Sequence, residues 1–347
     1  MKNNPYNLTF GKEPAEMIER YAQSGEIMDS FTSERPPQQV YMITGVRGIG
    51  KTVFMTTIAG EFSKKKDWLV VELNSSGEIL KELAAKLYNA RGLARIFDAA
   101  GIDLSFWGIG IKIRKSEPLT DLSTAVERML ERLDKEHKRV LITIDEVSNT
   151  GEMQLFAGAF QIFVRHDLPV FLLMTGLYEN INRLQNEENL TFLYRAPKIR
   201  LSALNITRMS ASYERLLHLP QDQARKLAEL TRGYSFAFQV FGYFTFRQNG
   251  DMEAALPEAR QYLDEYVYDK IWTKLSPREL ELVSHIALHD HKEVSRLKAD
   301  LNLAGNQFSV YRDRLIKKGI LDGSRRGLVT FSLPFFEDYV REHTEEV

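Results

Sequence analysis

Cysteine is missing from all 347 residues. That rules out disulfides, thiolate zinc ligation and a cysteine nucleophile, and it fits a reducing compartment. Net charge is nearly missing too: 46 Lys and Arg oppose 47 Asp and Glu, leaving −1. No global field therefore draws the chain to nucleic acid or to an anionic membrane, so such contact would rest on a local patch. Long apolar runs are also lacking. "VFLLM" and "FAFQVFGYFTF" are among the longest, about half of the ~20 residues a bilayer span needs. The opening MKNNPYNLTFGKEP has no apolar core of a signal peptide. These absences predict a cytoplasmic protein without membrane contact. At this length two or three domains are expected, and no internal repeat is visible.

What is present begins with alternation. Short apolar runs at Val40–Thr44, Trp68–Leu73, Val140–Ile144, Val170–Met174 and Lys198–Leu201 are separated by longer helical segments. That is the pattern of a parallel sheet covered by helices, an α/β fold. Apolar residues on both faces mark buried parallel strands. Between the second and third runs, Ile109, Ile111 and Ile113 alternate at period two, which predicts a small hairpin insert near 103–115. From about Asn205 helical periodicity takes over. After "TKLSPREL" the pattern becomes three helices followed by "GILDGSRRGLVTFSLP", two short strands around a Gly- and Arg-containing turn. That is the layout of a winged helix-turn-helix. The expected organisation is an α/β core over 1–203, a helical lid over 204–268 and a winged helix domain over 269–347.

Chemistry enters at Gly45-Val46-Arg47-Gly48-Ile49-Gly50-Lys51-Thr52, which fills every position of G-x-x-x-x-G-K-[ST]. A strand leads in and a helix-compatible run leads out. Glycines let successive backbone N–H groups turn inward on a polyphosphate, and the following helix adds its positive end. Lys51 supplies a mobile charge for the β- and γ-phosphates, and the Thr52 hydroxyl can ligate Mg²⁺. A second strand, "RVLITIDEVSN", ends in Asp145-Glu146. Asp145 is placed to hold the water shell of Mg²⁺, and Glu146 to accept a proton from attacking water.

The two motifs GVRGIGKT and "LITIDEV" resemble those of the AAA+ and STAND branches of P-loop ATPases, particularly the archaeal-type ATPases and the Orc1/Cdc6-like proteins. The resemblance covers roughly Phe10 to the end of the chain. It implies a P-loop NTPase core with a helical lid and a C-terminal winged helix, ATP and Mg²⁺ as cofactors, and ATP hydrolysis. It also implies that Thr175 reads the γ-phosphate and that Arg195 acts as an arginine finger; a structural ion-pair role is the other reading of Arg195. Arg47 can contact phosphate or a neighbouring subunit. The region "LTRGYSFAFQVFG" lacks the sensor-2 arginine in its usual place, since Arg232 precedes the glycine; this favours a switch-type ATPase over a processive motor. Lys12 stands where the family's adenine-packing lead-in usually has Arg. Adenine itself is implied by the resemblance, and no N-K-x-D guanine reader occurs.

In the presumed recognition helix, Asn306 to Gly319, helical spacing puts Phe308, Tyr311 and Leu315 on the core side. Asn306, Gln307 and Arg314 face outward as residue types suited to base edges, and Arg325 and Arg326 sit on the wing turn. Val310 and Asp313 also face outward, and an outward Asp opposes phosphate. Two functions stand side by side: an ATPase whose cycle moves the winged helix on double-stranded DNA, and a slow nucleotide-dependent switch whose winged helix binds a protein partner or its own core. A finger acting in trans would demand a homo-oligomer.

Overall fold

A computed structural model describes residues 3–9, 16–110, 121–188, 190–301 and 305–345. The chain divides into two compact units. One comprises residues 21–44 and 51–200, and the other residues 1–20, 45–50 and 201–347.

The first unit is built on five parallel strands: β1 (Val40–Thr44), β2 (Trp68–Leu73), β3 (Arg139–Ile144), β4 (Val170–Gly176) and β5 (Lys198–Arg200). Their order across the sheet is β2-β3-β4-β1-β5. The three inner strands are almost wholly buried because helices cover both faces. The edges differ: in β2 Glu72 is exposed, and in β5 only Ile199 is buried. An edge strand has one neighbour and less cover, so continuous apolarity is not required there.

Alternation along the strands assigns the two faces. Tyr41, Trp68 and Phe171 stack with Phe31 and Phe62 on one side, with ring centroids 4.2–6.0 Å apart. On the other side Met42, Val140, Ile142, Leu172 and Met174 pack against Leu83, Val126, Met129, Phe156 and Phe160. The register pairs Ile144 with Met174 and Thr44 with Gly176. The carboxyl tips of β3, β4 and β1 therefore end side by side, and that edge is where open α/β sheets bind ligands. No hairpin strand occurs in described residues 103–110, where Ser105–Trp107 forms a single 3₁₀ turn. Residues 111–115 of the expected insert, Ile111 and Ile113 included, and Lys12 lie outside the described residues.

The second unit is mainly helical. Asn205 and Asp251 cap the helices Ile206–Leu217 and Met252–Leu263 by accepting from the N–H three residues on. Ser276 and Glu279 form a capping box at the start of Pro277–Leu288, with proline as its first residue. Helices Val294–Asp300 and Gly305–Lys318 follow. Next come the short antiparallel strands β6 (Leu321–Asp322) and β7 (Thr330–Phe331), with a bridge from Glu293 to Leu328. Near the amino end, Tyr6 lies against Gly242, where a Cβ would come within 2.5 Å of its ring. That close approach explains a glycine in mid-helix.

Candidate nucleotide site

Within the sheet unit, three polar side chains converge at the strand tips, joined by the backbone N–H of a fourth residue. Thr52, in the first turn of the helix Lys51–Ser63, donates its hydroxyl to Asp145 Oδ2 at 2.7 Å. Thr175, fully buried near the end of β4, donates to Asp145 Oδ1. Glu146 N–H reaches Asp145 Oδ1 at 3.0 Å and Thr175 Oγ1 at 3.2 Å, and Val147 N–H donates to the Thr175 carbonyl at 2.8 Å. These bonds hold Glu146 at φ 49, a left-handed conformation that costs a non-glycine residue about 1 kcal/mol or more. The side chain of Glu146 remains exposed to solvent. Among these contacts Asp145 is met by two hydroxyls and one backbone N–H, all of them neutral donors. The Thr52 hydroxyl on the helix and the Asp145 carboxylate at the strand tip form a hard, all-oxygen donor pair, which fits Mg²⁺ better than a softer metal.

Within the second unit, the glycine-rich loop 45–50 is gripped along its outer side. Gly48 and Gly50 adopt φ 76 and 90, conformations that glycine takes without strain. A Cβ on Gly48 would lie 2.1 Å from the Tyr234 hydroxyl, so glycine is required there twice over. Tyr234 Oη donates to the Arg47 carbonyl at 2.6 Å, and burial drives its phenol well above the usual range. Ser235 Oγ and Arg20 Nη2 both donate to the Ile49 carbonyl, at 2.9 and 3.0 Å. Burial pulls the Arg20 guanidinium down to about 10. The Arg47 and Ile49 carbonyls are thus held by side chains outside the loop, and within it Ile49 N–H turns back on the Val46 carbonyl at 3.3 Å.

Residues 31–194 match the sequence profile of an ATPase domain found predominantly in Archaea. Those residues form an archaeal-type ATPase domain. Residues 265–340 match a domain of unknown function. No curated protein matches the chain in sequence. In fold, the ATPase is similar to a Walker-type ATPase of Pyrococcus abyssi, at 16% identity and a TM-score of 0.62 over 94% of this chain and 96% of that one. It is likewise similar to the ORC2 protein of Aeropyrum pernix, solved as ADPNP–ADP complexes, at 13% identity and a TM-score of 0.62 over 97% and 96%. The ADP form of that ORC2 protein gives a TM-score of 0.51 at 14% identity, over 96% and 97%.

The remaining residues singled out in the sequence are placed as follows. Lys51 opens its helix and is half-buried, as is Arg47. Gly45, Val46 and Ile49 are buried. Arg195 is exposed at the end of the short helix Thr191–Tyr194, just before β5, and makes no ion pair among the described residues. Asn306, Gln307, Asp313 and Arg314 are exposed, as are Arg325 and Arg326 between β6 and β7. Phe308 and Leu315 are buried, whereas Tyr311 is half-buried with the Arg314 guanidinium 5.5 Å above its ring. Asp313 pairs with Lys317 at 2.6 Å. Arg232, also left-handed at φ 51, donates to the Phe331 carbonyl in β7 at 2.5 Å. Tyr234, Ser235 and Arg20 escaped the sequence reading. "GYSF" stood out only as a motif variant, and nothing local marks Arg20. No helix among the described residues is long and apolar enough to cross a membrane.

Proposed function

We propose that this ATPase hydrolyses ATP with Mg²⁺ and uses the cycle to reposition a C-terminal winged helix, read over 269–347 behind a helical lid over 204–268. One observation carries the reading: Thr52 and Thr175 hold the two oxygens of Asp145 at the tip of β3. Residues Gly45 to Gly50 offer backbone N–H groups to the phosphates, and Lys51 places its ammonium against the β- and γ-phosphates. Thr52 and Asp145 would hold Mg²⁺, which when bound offsets charge on the phosphate oxygens. The exposed Glu146 carboxylate takes the proton of the attacking water. Thr175, whose hydroxyl bridges Asp145 and the Glu146 N–H, reports the state of the γ-phosphate to this corner. Arg195, exposed and without an ion pair among the described residues, is available to a neighbouring copy as an arginine finger.

For the C-terminal region, contact with double-stranded DNA rests on Asn306, Gln307, Arg314, Arg325 and Arg326. The competing reading, a protein partner and a slow switch, is favoured by one specific feature. Val310 is 53% exposed at the centre of the outward face, next to the Asp313–Lys317 pair, which suits an apolar partner better than a phosphate backbone. Steady-state ATP turnover with and without duplex DNA, alongside Glu146→Gln, separates the two. DNA-stimulated turnover that Glu146→Gln abolishes supports the DNA-coupled cycle. Slow turnover indifferent to DNA supports the switch, and wild-type turnover no faster than Glu146→Gln contradicts the hydrolytic assignment.

A further inference from the structure

Three of the chain's seven histidines lie within seven residues, at 285, 289 and 291, and two of them, His285 and His291, approach the same Asp300 oxygen. His285 is on the helix Pro277–Leu288, His289 caps its carboxyl end, and His291 follows in the connection. Asp300 closes the helix Val294–Asp300. Ligand atoms of His285, His289 and Asp300 all lie within 4.8 Å of one another.

The tautomer of His289 follows from its partner. His289 Nδ1 sits 2.9 Å from the His285 carbonyl, which only accepts, so the proton is on Nδ1 and the Nε2 lone pair is open. His285 Nε2 is buried and has no hydrogen-bond partner; the nearest acid, Asp300 Oδ2, is 3.6 Å away. Two ligands about 2.0–2.1 Å from one tetrahedral zinc lie roughly 3.3 Å apart, so that gap is close to a shared-metal spacing and too long for a hydrogen bond. His291 Nε2 lies 2.8 Å from the same Asp300 oxygen, the outer partner that orients a ligating carboxylate. The His285 and His289 ring centroids are 4.0 Å apart. The nearby cation, Lys292, is already met by Glu337 at 2.8 Å and by the His289 carbonyl at 2.8 Å. Glu337 is shared with Arg341, whose Nη2 lies 3.0 Å from the same oxygen.

We propose that His285 Nε2, His289 Nε2 and Asp300 form a site for a zinc-type divalent cation, with His291 as a positioning residue and water in the fourth place. Two nitrogens and one carboxylate select a borderline transition ion over Mg²⁺, so the site is independent of the nucleotide chemistry. The ligands come from the ends of two successive helices, so the ion would tie those ends together without a disulfide, which this cysteine-free chain cannot form.

The test is a cobalt titration of the untagged full chain carrying Lys51→Ala, without nucleotide and in excess Mg²⁺, followed by the visible bands of low-coordinate Co²⁺. One equivalent should bind, and zinc should displace it and raise the melting temperature. His289→Ala and Asp300→Asn should each weaken binding at least tenfold, and the double variant should lose it. His166→Ala and His343→Ala should change nothing. Circular dichroism establishes that each variant is folded, and the exposed position of Asp300 makes Asp300→Asn the safest. Absence of one-to-one uptake, or uptake unchanged in the folded Asp300→Asn and double variants, overturns the proposal.

Discussion

Asp145 and Glu279 are both carboxylates held by hydrogen bonds, yet they are held in opposite ways. Asp145 accepts from two threonine hydroxyls and one backbone N–H. Its partners are neutral, so its charge remains available to a cation. Glu279 is 1% exposed and has Lys318, itself 10% exposed, 2.9 Å from both oxygens, with Ser276 N–H and Oγ completing the box. Its charge is consumed internally. Burial alone would raise the Glu279 carboxyl, but Lys318 and Ser276 outweigh it and hold it below the usual range. The difference separates an acid whose partners leave its charge standing from one whose partners cancel it.

That contrast is open to direct attack. The largest effect is expected at the strand tip, where Glu146→Gln should slow turnover by roughly 10²–10⁴-fold while nucleotide affinity changes little; equal losses in both would make Glu146 structural. In the second unit, Glu279→Ala strands a buried ammonium and should cost about 3–5 kcal/mol of stability, measured by denaturant unfolding. A loss under about 1 kcal/mol would move Glu279 to the surface class. The pH sign follows from its lowered pKa. Its stabilisation is present above the unfolded carboxyl value, about 4.3, and is lost as pH falls through the folded one. Glu279→Gln should therefore flatten the acid limb of the stability curve. A smaller effect, about 1 kcal/mol, is expected of Tyr234→Phe, which removes one hydrogen bond to the Arg47 carbonyl. Nucleotide release should speed up with it if the loop depends on being gripped from behind.

The parts of this architecture visible in the sequence are those that local pattern encodes. β1, β3 and β4 were readable because burial on both faces forces continuous apolar runs, and the acids at the tip of β3 stood out against them. β5 was harder to bound, with one buried residue in three. The phosphate loop was readable because its glycines serve backbone conformation. Its clamp was not: Arg20 and Tyr234 reach Ile49 and Arg47 across 29 and 187 residues, and no local periodicity carries such a contact. Arg232 is similar, since its partner carbonyl at Phe331 is 99 residues away. The histidine cluster is an intermediate case. The spacing of His285, His289 and His291 is local and could have been read, but Asp300, which completes it, is placed by the packing of two helices.

Calorimetric titration of ATP and ADP with Mg²⁺ into the purified chain and into Lys51→Ala tests the central claim most directly. The account predicts one nucleotide per chain, with affinity falling roughly a hundredfold in the variant. Uptake that survives Lys51→Ala unchanged, or no uptake by the wild-type chain, would contradict it.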